Sequence, residues 1–74
     1  MKQEYIEWID ASSTTGWHKE SDCELILIRS IGFVTKEDKE SLTLSSSWDK
    51  DNDLICGSIT VPKKWIEKRK KVKV

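Results

Sequence analysis

The chain alternates apolar and polar residues at a period of two. Tyr5-Ile6-Glu7-Trp8-Ile9-Asp10 places Ile6 and Trp8 on one face of a strand. Ser41-Leu42-Thr43-Leu44-Ser45 does the same with Leu42 and Leu44. Cys23 to Thr35 is rich in Ile, Leu, Val and Phe, and its run Leu25-Ile26-Leu27-Ile28 has no polar member. Such a run predicts burial on both faces, or on one face with a subunit contact on the other. Gly32, between Ile31 and Phe33, predicts a bulge or sharp bend. Leu54 to Val61 is a further strand, carrying Gly57 and ended by Pro62, which donates no ladder hydrogen bond.

Polar segments punctuate these strands: Ala11 to Gly16, Lys36 to Glu40 and Trp48 to Asp53. Pro62-Lys63-Lys64-Trp65 suits a single 3-10 turn with proline at its first position. Ile66 to Val74 reads as a last strand or a short helix. The predicted fold is therefore all-β: a five-stranded antiparallel barrel of the SH3-like or Sm-like kind, with a 3-10 turn or short helix near the C-terminus. An open antiparallel sheet closed by a terminal helix is the alternative. A glycine bend is how a small barrel turns its corner. The expected core is Ile6, Trp8, Leu25, Leu27, Ile31, Phe33, Leu42, Leu44, Ile59 and Val61.

With 74 residues there is room for a single domain, 1–74, whose own core is marginal. Small chains offset that with disulfides, a metal or a partner subunit. The two cysteines, Cys23 and Cys56, lie in apolar strands and read as buried, reduced thiols. The one histidine, His18, has neither a second histidine nor a CxxC beside it, so no zinc or other cofactor is expected. That leaves the partner subunit, and the apolar run at Leu25 points to a homo-oligomer. The longest apolar run falls far short of a bilayer span, so no membrane association is expected. Met1-Lys2-Gln3-Glu4 leads straight into a strand without an export signal, and a cytoplasmic location is expected.

Thirteen basic and thirteen acidic residues give a formal net charge of zero, unevenly spread. Lys63 to Val74 holds seven basic residues and one acidic, a charge of +6 that leaves −6 on the rest. The basic tail (63–74) can bind nucleic acid through Lys63, Lys64, Lys68, Arg69, Lys70 and Lys71, pair with an acidic body, or simply solvate the chain end.

Candidate chemistry is sparse. Asp49-Lys50-Asp51-Asn52-Asp53 imitates the start of an EF-hand loop, but Leu54 replaces the glycine of its sharp turn and Thr60 its closing glutamate. The hydroxyls of Ser12 to Thr15 lack the lysine of a phosphate loop, and His18 has no clear orienting carboxylate. No catalytic residue is assigned, and a non-enzymatic role is expected. Four tryptophans say more. Trp8 reads as core. Trp17, Trp48 and Trp65 fall in predicted loops beside charged residues, where tryptophan anchors interfaces, stacks bases or caps a barrel.

The ordered segments Trp8-Ile9-Asp10, Gly16-Trp17, Ser30-Ile31-Gly32-Phe33 leading to Glu37-Asp38, Leu42-Thr43-Leu44 and Ile59-Thr60-Val61-Pro62-Lys63 resemble a family of short, uncharacterised bacteriophage and prophage proteins. The similarity runs from about Tyr5 to Ile66, leaving Lys68 to Lys73 as an addition of this chain. The resemblance implies a phage accessory protein in a host bacterial cell, and no catalytic residues. Two functions follow as expectations. The first is binding of a host protein or small signalling ligand, with Trp17 and Trp48 beside the acidic segments Glu20-Ser21-Asp22 and Asp49 to Asp53 suited to a basic partner surface. The second is Sm-like binding of RNA or DNA by the basic segment, with Trp65 as a stacking platform. The −6 body repels a phosphate backbone and ranks the first ahead.

Overall fold

The computed structural model describes residues 1–11 and 25–73. Five strands occupy most of that length: β1 Gln3–Ala11, β2 Leu25–Glu37, β3 Ser41–Asp49, β4 Leu54–Pro62 and β5 Ile66–Lys71. A 3-10 turn at Lys63–Trp65, entered from Pro62, joins β4 to β5. The strands form one open antiparallel sheet in the order β4-β3-β2-β1-β5, so β4 and β5 are its edges. The all-β, five-stranded reading and the 3-10 turn stand. The segment after the turn is a strand, not a helix.

The register explains the core. Directly opposed residues share a face. Glu4, Ile6 and Trp8 on β1 oppose Gly32, Ser30 and Ile28 on β2. Val34 opposes Leu44, which opposes Ile59, while Leu42 opposes Val61. This face collects Ile6, Trp8, Leu42, Leu44 and Val61 as the buried cluster, with Ile28, Val34 and Ile66 packed against it. All five strands contribute.

Four residues expected in the core are exposed: Leu25 at 73%, Leu27 at 39%, Ile31 at 61% and Ile59 at 38%. Phe33 is only half-buried. Leu25, Leu27, Ile31 and Phe33 occupy the odd positions of β2, whereas the core takes Ile28 and Val34 from the even ones. A one-residue change of phase turns a whole strand over. Ile59 lies on the core face, but the edge position of β4 leaves it open. The buried-thiol expectation fails for Cys56, which is free and exposed on that same edge. Cys23 lies outside the described residues.

At Gly32, β2 passes β3 too closely to admit a side chain. A Cβ built there would stand 2.7 Å from the Ser45 carbonyl oxygen and 3.2 Å from its carbon. On the other side of β3, hydroxyls replace hydrocarbon. Thr35 and Ser45 oxygens are 2.9 Å apart, Ser45 and Ser58 2.7 Å, and Thr43 and Thr60 2.8 Å. Ser45 is fully buried, which is tolerable because its hydroxyl has these partners.

Candidate interaction surface

The basic tail is not a tail. β5 pairs along β1, with Lys71 opposite Glu4, Lys70 opposite Tyr5, Arg69 opposite Ile6 and Lys68 opposite Glu7. Alternation then divides the cations between two faces. Arg69 faces the core side, where its guanidinium holds Glu4 through bonds of 3.2 and 2.6 Å and Glu37 through bonds of 3.1 and 3.4 Å. Lys63 reaches Glu37 at 2.7 Å. These contacts tie the edge strand β5 and the 3-10 turn to the far end of β2. Two of the six predicted phosphate contacts, Lys63 and Arg69, are thereby engaged within the fold. Lys64, Lys68, Lys70 and Lys71 remain exposed.

The Arg69 and Lys63 hydrogen bonds hold the Glu37 carboxyl down to about 2, against an ordinary 4.5. A lowered folded-state value means the contribution is present above the ordinary carboxylate range and lost as pH falls toward 2. Thermal melts at fixed salt are expected to show a falling midpoint between pH 5 and pH 2, with a shallower fall in Glu37→Gln. Equal slopes would show that this cluster adds nothing to the acid response.

Of the predicted tryptophan sites, Trp48 and Trp65 do not converge. Trp17 lies outside the described residues. Trp48 belongs to β3, not to a loop. It is half-buried, meets Phe33 edge-on at 5.8 Å between ring centroids, and donates its indole N–H to Asp53 at 3.3 Å. Those contacts make it a packing residue. Trp65, at the end of the 3-10 turn, is 39% exposed. Between the pairing partner of Trp48, Ile55, and the turn at Lys63 runs the length of β4, roughly 20 Å of extended chain.

The acidic turn is built from local hydrogen bonds. Asp49 accepts from the Asn52 side-chain amide at 3.0 Å and from its backbone N–H at 3.4 Å, contacts that lower its pKa. Asp38 does the equivalent work in the β2–β3 hairpin, accepting from the backbone of Glu40 and Ser41, each at 2.8 Å, which likewise lowers its pKa. Each of these carboxylates serves its own turn.

Two exposed apolar surfaces lie outside the predicted site residues, the first including part of the apolar run read as a subunit contact. On the outer face of β1, β2 and β5, cross-strand rows join Lys70, Tyr5 and Ile31, and then Lys68, Glu7 and Arg29, with Ile9 and Leu27 next along. Tyr5 donates to Glu7 at 2.5 Å, which raises the phenol's pKa, and Arg29 lies 3.8 Å from the same carboxylate. Exposed Leu27 and Ile31 are thus bordered by Arg29, Lys68 and Lys70. The second surface is edge strand β4, where Leu54 to Thr60 are all exposed and none is charged. The clue to both was present in the apolar runs, since a run apolar on both sides cannot be covered by one small core.

No helix among the described residues is long and apolar enough to cross a membrane. A scan against models of protein families, a search of curated proteins and a search of solved structures each find no match.

Proposed function

We propose that this protein is a non-enzymatic binding module, acting in the cytoplasm of a bacterial host as a phage accessory factor that engages a host protein or small signalling ligand. The observation that carries the binding role is the outer face: Ile31 at 61% and Leu27 at 39% exposure, set among Tyr5, Arg29, Lys68 and Lys70. An apolar patch rimmed by charge is the make-up of an interaction site, and here Arg29, Lys68 and Lys70 outnumber Glu7, favouring an acidic partner. The phage setting rests on the sequence resemblance. A barrel of SH3-like or Sm-like type, left open between β4 and β5, is part of the same reading. It is supported by β5 lying beside β1, by the close approach at Gly32, and by the Arg69–Glu37 link. The protein acts as a homo-oligomer.

Nucleic-acid binding through Lys64, Lys68, Lys70 and Lys71 with Trp65 is the competing outcome, and one experiment separates the two. The full chain is titrated against labelled single-stranded RNA and DNA at two salt concentrations, beside a Lys68→Gln/Lys70→Gln/Lys71→Gln variant that keeps Arg69 in place. Little binding is expected in either form. Micromolar binding that weakens steeply with salt and disappears in the variant would transfer the function to nucleic acid. In parallel, a host component retained from a bacterial lysate is purified and titrated against wild type and Ile31→Glu. At least a tenfold loss of affinity, with an unchanged circular dichroism spectrum, is the expected result.

A further inference from the structure

The two edges of the sheet differ in kind. β5 carries Glu67, Lys68, Arg69, Lys70 and Lys71, and lysine on an edge is a standard means of keeping other strands away. β4 has no such protection. Leu54, Ile55 and Ile59 are 62%, 47% and 38% exposed, and Leu54 to Thr60 carry no charge. Along its unpaired side run backbone N–H and C=O groups with no strand among the described residues beside them.

Charge is arranged at the two ends of β4 with opposite sign. The turn leading into it holds Asp49, Asp51 and Asp53 against Lys50, while Lys63 and Lys64 follow Pro62. In an antiparallel pairing of two such strands, each acidic end meets the other's basic end. A parallel pairing would set like charges together. Pairing with β5 of another copy would lay its lysines along Leu54, Ile55 and Ile59.

The geometry points to a two-fold homodimer in which β4 of one copy pairs antiparallel with β4 of another, extending the sheet across the dyad. This rests on the homo-oligomer reading and specifies its surface. A dyad near Gly57, whose positive φ of 68° interrupts regular strand backbone, sets Ile55 opposite the second copy's Ile59. It also brings the two Cys56 residues into diagonal positions, about 7–8 Å apart. The outer face of β2 stays open for a partner.

Light scattering at high micromolar concentration tests it, with a mass of twice 8.6 kDa expected for the wild type. Ile55→Lys and Ile59→Lys alter exposed positions and are expected to raise the dissociation constant at least tenfold without changing the circular dichroism spectrum. In a Cys23→Ser background, a short bis-maleimide joins two chains through Cys56. A wild type that stays monomeric overturns both this pairing and the homo-oligomer reading. An oligomer that survives both isoleucine substitutions and escapes cross-linking overturns the β4 pairing alone. A mass above the dimer, lost when β5 is altered, overturns it in favour of head-to-tail assembly.

Discussion

Leu42→Ala is expected to leave little folded protein at physiological temperature. Leu42 is fully buried and belongs to a cluster of only five buried hydrophobic side chains among the described residues. Deleting its branched end removes transfer energy and leaves a cavity, costing about 2–5 kcal/mol. A domain of this size has about 4–11 kcal/mol in total. Urea denaturation should show the midpoint falling by a large fraction of its wild-type value, or the folded baseline disappearing. The control is Leu25→Ala, at 73% exposure and away from β4, expected to move stability by less than about 0.5 kcal/mol. Both are measured at one protein concentration, since assembly makes the midpoint concentration-dependent. Comparable losses in the two variants would mean that the core lies elsewhere.

Gly32→Val is the second large effect expected. Even the first added carbon meets the Ser45 carbonyl at 2.7 Å, and the Leu44 Cβ at 3.4 Å. The obstacle is backbone in the middle of the sheet, so no side-chain rotation relieves it. β2 must move away from β3, at a cost of about 1–3 kcal/mol for alanine and more for valine. Their pairing is already irregular between Val34 and Lys36. Chemical denaturation of the Ala and Val variants should give a graded loss. A valine variant as stable as the wild type would show that the strands are not pressed together at this point.

Gly57 loses on two counts when substituted. Its positive φ of 68° disfavours any side chain, and an added carbon would run into the Ser46 hydroxyl. The hydroxyl is the end of a rotatable side chain, so the backbone angle sets most of the cost. The two strand glycines thus serve unlike purposes. Gly32 permits close passage, and Gly57 permits a turn of the backbone.

Strand character, strand number and the 3-10 turn follow from local pattern, because period-two alternation and Pro62 act over a few residues. The site residues were less legible. Lys63 and Arg69 read as free cations, yet both are held by Glu37, which lies far away in sequence and next to them only once β5 joins the sheet. Trp48 read as a loop residue because Asp49 to Asp53 surround it with polarity, whereas β3 extends past it to Asp49 and Phe33 supplies its packing.

By itself, the sequence determined that the chain is all-β, which residues of β1 and β3 turn inward, and that it carries more apolar surface than one small core covers. Alternation is decisive only where one set of positions is polar. In Leu25-Ile26-Leu27-Ile28 both sets are apolar, and only pairing with β1 decided that Ile28 packs inward while Leu25 and Leu27 face out. Strand order decided the remainder. It made β4 an edge, which exposes Ile59 and Cys56, and it made β5 a neighbour of β1, which spends Arg69 on Glu4 and Glu37. Both outcomes depend on contacts between residues distant in sequence, which no local periodicity encodes.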